Sequence, residues 1–79
     1  PQTLVNLDLH SDTKKIFLNT RLNKTILNFL DNKQDEPKIL IRKSGTENLL
    51  RIMVQSRSLK LTNHISQTLV DMIKGIDGI

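Results

Sequence analysis

The chain contains no cysteine, no tryptophan and no tyrosine. Without Cys it can form no disulfide frame, no thiolate metal site and no thiol nucleophile. That composition suits a reducing compartment, and the cytoplasm is the setting expected. Phe17 and Phe29 are its only aromatic residues, so any core must be aliphatic. So few rings also give nucleic-acid bases nothing to stack on. No apolar run approaches the ~20 residues of a membrane span. No signal-peptide pattern opens the chain either. His10 and His64 have no partner at metal-ligand spacing, and Asp8, Asp12, Asp31, Asp35, Asp71 and Asp77 form no cluster. No metal site is therefore expected in this chain, and both histidines read as structural or surface residues.

What is present is one small domain. A chain of 79 residues buries only about 60% of its unfolded surface, so its stability margin is thin. It opens on Pro1 rather than Met, so a piece of a longer protein is expected. The net charge is +4, which favours anionic partners. Yet the basic residues are scattered, with only Lys14-Lys15 and Arg42-Lys43 adjacent. No continuous basic stripe runs along a helix. The excess reads as solvated surface plus one anion-holding loop, not a nucleic-acid footprint.

The stretch Thr3 to Leu9 alternates, with Val5, Leu7 and Leu9 on one side and Leu4, Asn6 and Asp8 on the other. A period of two predicts a strand with one buried face. His10 to Thr13 then breaks the pattern with turn formers. Lys14 to Leu18 fits either a short extended piece or the approach to a helix. Asn19 or Thr20 can cap a helix running to about Asp31, with Leu22, Ile26, Phe29 and Leu30 at helical spacing. A polar connector ends at Pro37, which blocks helix continuation. Strands follow at about Lys38 to Arg42 and about Leu49 to Gln55. Ser58 can cap the last helix, whose stripe is Leu61, Ile65, Leu69, Met72, Ile73 and Ile76. Gly75 and Gly78 mark its expected end. The order strand, helix, strand, strand, helix predicts an α+β two-layer sandwich. Its antiparallel-rich sheet has three to four strands, with two helices on one face. The other face carries mixed residues, suited to water or to another domain.

The constellation that carries chemistry is Arg42-Lys43-Ser44-Gly45-Thr46-Glu47 with Arg51 on the next strand. Arg42 offers a planar fork of donors that matches a phosphate. Ser44 and Thr46 add hydroxyls. Gly45 allows positive φ, so consecutive N–H groups can point into one concavity. Glu47 can orient an arginine or meet a sugar hydroxyl. The same residues also make an ordinary turn, with Arg42 and Arg51 fringing a sheet. From the residues alone, both readings stand.

This loop, continuing to Arg51-Ile52-Met53-Val54, resembles the phosphate-binding loop of the C-terminal domain of the α-D-phosphohexomutases. Pro1-Gln2 with Leu4-Val5-Asn6 resembles the stretch leading into that domain. The likeness spans nearly the whole chain and is strongest to the branch acting on glucosamine phosphates. Asn48 departs from the pattern, standing where the family usually has Pro. The resemblance implies a TATA-box-binding-like fold over residues 1–79, closing as the fourth domain over a phosphosugar. It implies that Arg42, Ser44, Gly45 and Thr46, with Arg51 as a weaker contact, grip the substrate's phosphate. It also implies a parent isomerase that uses Mg²⁺, on the route to amino-sugar and cell-wall precursors. The family's phosphoserine loop and Asp-rich metal loop have no counterpart here. The chain alone is therefore expected to be inactive, with the other domains of the same enzyme as its partners. The alternatives are a small basic nucleic-acid-binding module and a purely structural docking module.

Overall fold

The alternation near the start becomes β1 (Gln2–Asp8), an edge strand of a sheet completed by β2 (Lys38–Ser44) and β3 (Leu49–Gln55). These elements belong to a computed structural model that describes residues 1–9, 13–31, 37–44 and 49–77. The sheet order is β1-β3-β2, antiparallel throughout. The last strand in sequence is thus the central one. Leu50, Ile52 and Val54 of β3 are fully buried, which is why this strand takes the middle place. Opposite them stand Leu7, Val5 and Thr3 on β1 and Lys43, Ile41 and Ile39 on β2. β2 runs two residues beyond its expected end at Arg42, because pairing with β3 continues to Ser44 opposite Leu49.

Helices cover one side of this sheet. The long α3 (Leu59–Asp77) lies against β1 and β3, and α2 (Thr20–Leu30) lies against β2. Ile65, Leu69, Val70 and Ile73 meet Leu50, Ile52 and Val54 in one aliphatic core, joined by Leu9, Ile16 and Leu22. Full burial of each such side chain contributes about 1.5–3 kcal/mol. The architecture is the expected α+β two-layer sandwich, with three strands. Lys14 to Leu18, which the sequence left open, supplies the third helix, α1 (Thr13–Phe17). It buries Ile16 completely and leaves Phe17 and Leu18 exposed. Phe17 is thus not a core residue, and Leu30 at the end of α2 is also exposed.

The helix caps follow side-chain chemistry. Asn19 caps α2, its Oδ1 accepting from the Leu22 N–H at 2.8 Å. Ser58 caps α3, its Oγ accepting from the Leu61 N–H at 3.3 Å. The turn before α3 is tied by a buried hydrogen bond between Ser56 Oγ and Thr62 Oγ1 (2.6 Å). The Ser56 hydroxyl also lies 2.8 Å from the Ser58 carbonyl oxygen. Gly75 does not end α3. The helix runs through it to Asp77, because Ile76 still packs against the core.

Candidate functional site

The face of the sheet away from the helices is uncovered among the described residues. The strand register sorts it into rows. Leu4, Met53 and Leu40 stand side by side across the strands, and Asn6, Arg51 and Arg42 form the next row. Leu4 is 55% and Leu40 38% exposed. The last row, at the end leading into the loop, is Asp8, Leu49 and Ser44. A shallow depression of about 280 Å³ lies on this face, lined by Gln2, Leu4, Leu40, Arg42, Arg51 and Met53.

Arg42 and Arg51 are directly opposed partners on β2 and β3. Cβ atoms in such a pair stand roughly 4.5–5.5 Å apart. Among the described residues neither guanidinium makes an ion pair. Among the described residues, the Arg51 side chain donates from Nε to Asn6 Oδ1 at 3.4 Å. Two like charges face each other with no acid paired to them among the described residues, which destabilises a sheet unless something else supplies negative charge. The register thus brings two of the expected site residues together. It also places Ser44 at the end of β2, where the chain leaves for the loop. Gly45, Thr46 and Glu47 lie outside the described residues, as does Asn48.

Residues 4–72 match the family described as the C-terminal domain of phosphoglucomutase/phosphomannomutase. The chain belongs to that family. It is 35% identical over 75 residues to the phosphoglucosamine mutase of Prochlorococcus marinus (strain MIT 9312), covering 92% of this chain and 17% of that protein. It is 32% identical over 79 residues to the phosphoglucosamine mutase of Lactiplantibacillus plantarum, covering 100% and 17%. Against the phosphoglucosamine mutase of Fusobacterium nucleatum the identity is 31% over 75 residues, covering 94% and 17%. The chain spans 17% of the length of the curated relatives it matches.

Within this phosphohexomutase C-terminal domain, the described residues hold no group of three or more His, Cys, Asp or Glu side chains that could bind a metal ion. The Mg²⁺ implied for a parent enzyme therefore finds no donor set among them. No described helix is long and apolar enough to cross a membrane. His64 meets Phe29 edge-on, with ring centroids 6.1 Å apart, so it packs against the second helix. His10 lies outside the described residues. Neither Phe is in the sheet, so among the described residues its uncovered face offers no ring for a base to stack on. Sequence reasoning did not single out Asn6, which the strand order sets beside Arg51. The signal was there: alternation in β1 already set Asn6 on the side opposite Val5 and Leu7. What was missing was the strand order that brings β1 beside β3.

Proposed function

We propose that this domain holds the phosphate of a phosphosugar within a phosphoglucosamine mutase. In that role Arg42, Ser44, Gly45 and Thr46 grip the phosphate, Arg51 assists, and Glu47 orients an arginine or meets a sugar hydroxyl. The reaction served is the interconversion of glucosamine 6-phosphate and glucosamine 1-phosphate, a step toward peptidoglycan precursors in the cytoplasm. The observation that carries this reading is the opposed pair Arg42 and Arg51, without an acidic partner among the described residues, at the strand ends flanking the Ser-Gly-Thr loop. Two forked cations side by side match the several acceptor oxygens of a phosphate.

The chemistry asks for such a grip. The sugar must present first one end and then the other to the phosphoryl-transfer site. The phosphate that does not react must be held in both orientations. Binding energy at that remote group positions the reacting one. The described residues hold no group of metal ligands for the transfer itself, which in this reading falls to other domains of the same polypeptide. The strip of exposed Leu4 and Leu40 with half-buried Met53 between them supports a docked neighbour on the same face.

The test is a titration of the ¹⁵N-labelled chain with inorganic phosphate and with glucosamine 6-phosphate. The amides from Lys43 to Glu47 and the Nε signals of Arg42 and Arg51 shift first and saturate, while isomerase assays of the chain alone stay at background. Shifts confined to the helices, or none in the loop at saturating ligand, overturn the reading.

A further inference from the structure

We infer that Asn6 is a positioning residue for the phosphate site: it holds the Arg51 guanidinium beside Arg42 without neutralising it. The inference rests on the phosphate reading above and adds a residue on a third strand to it. Asn6, Arg51 and Arg42 occupy one straight row across β1, β3 and β2. Asn6 Oδ1 accepts from Arg51 Nε at 3.4 Å. That atom choice matters. Engaging Nε leaves both terminal nitrogens of the fork free for a ligand. The bond is long, so it steers an exposed side chain rather than locking it.

The chemistry of an amide at this place is specific. An arginine left alone beside another arginine swings away, because like charges directly opposite repel. An acid at position 6 would hold Arg51 more strongly through a charge-assisted bond. It would also compete with the phosphate for the same fork. A neutral acceptor does the first task without the second. The carboxylate on this face, Asp8, stands opposite Leu49, one row away. Among the described residues it makes no ion pair with Arg51. The row therefore keeps its full positive charge while one of its two forks is oriented.

The experiment compares inorganic phosphate binding, followed by amide and arginine Nε signals at low ionic strength, for wild type and five variants. Asn6→Ala weakens phosphate binding about three- to tenfold, the worth of one long, exposed hydrogen bond at the ordinary net value. Arg51→Ala weakens it at least as much, and adding Asn6→Ala to Arg51→Ala costs nothing further. Asn6→Asp is the separating variant. It leaves thermal stability at or above wild type yet weakens phosphate binding, because the new carboxylate occupies the fork. Without ligand, Asn6→Ala already moves the Arg51 Nε–H signal. A merely structural Asn6 predicts the opposite: Asn6→Asp binding phosphate as tightly as wild type, or Asn6→Ala costing the same with and without Arg51. Either result overturns the inference. Arg42→Ala keeps the two levels apart. If it abolishes binding while the Asn6 variants match wild type, only the role of Asn6 fails. If it too leaves binding unchanged, the phosphate reading fails and the role of Asn6 with it.

Discussion

Removing one of the two opposed arginines makes the free domain more stable and the phosphate-saturated domain less so. The perturbation is Arg42→Gln, which retains most of the stem lining the depression between Leu40 and Met53 and deletes the charge. Among the described residues the Arg42 side chain makes no hydrogen bond, so little is lost in the free state. What is relieved is the repulsion with Arg51, its direct cross-strand partner. Opposed like charges cost up to about 1 kcal/mol, and both side chains are exposed, so about 0.5 kcal/mol at low salt is the reasonable size. For a domain this small, that raises Tm by about 2–4 °C. At 1 M chloride the screening length falls to about 3 Å and the gain disappears. Phosphate reverses the order. At ten times Kd, wild type gains about 1.4 kcal/mol by mass action, while the variant gains little. Thermal unfolding in a phosphate-free buffer, at low and high chloride and then with added phosphate, reads all three effects. If Arg42→Gln unfolds earlier than wild type at low salt without phosphate, the two guanidiniums are not in conflict. If it gains as much from phosphate as wild type does, Arg42 is not in the site.

Two further outcomes test the scaffold. Ile52→Ala empties a fully buried position at the centre of the sheet and costs about 2–5 kcal/mol, a large part of the few kcal/mol such a domain has; urea midpoints measure it. Gly75→Ala stabilises, because a Cβ there meets nothing within 4 Å and Gly costs a helix up to about 1 kcal/mol relative to Ala. Its place in the last turn of α3 keeps the gain near about 0.5 kcal/mol, visible as a Tm rise of about 2–4 °C.

Much of the fold was legible because its signals are local. Alternation in β1, the caps at Asn19 and Ser58 and the stripe along α3 each follow from residues within a few positions of one another. What the sequence left open or misread shares a cause as well. Lys14 to Leu18 is too short to show a helical period, and only the tertiary burial of Ile16 makes it a helix. Leu30 keeps helical spacing with Ile26, yet it falls past the edge of what α2 covers. Gly75 looks like a stop signal, but packing of Ile76 outweighs its low propensity. For the site, Arg42 and Ser44 could be marked from motif alone. The Asn6 contact could not, since Asn6 and Arg51 are 45 residues apart and meet only once β3 enters between β1 and β2.

The arginine pair and the core are consequences of the same register. On β3, Arg51 lies between Leu50 and Ile52, both fully buried. The pleat that turns those two inward turns Arg51 outward. On β2 the same alternation sets Ile41 opposite Ile52 and Arg42 opposite Arg51. Slipping either strand by one residue would drive a guanidinium into the aliphatic core and expose an isoleucine. The core therefore enforces the pairing that the uncovered face resists. The energy that holds two cations in register comes from Leu50, Ile52, Val54 and the stripe of α3 beneath them. That is how two exposed arginines can stand opposite each other near the ends of β2 and β3 that lead toward residues 45–48. It is also why weakening the core at Ile52 lowers stability with and without phosphate, whereas Arg42→Gln raises stability without phosphate and lowers the gain from it.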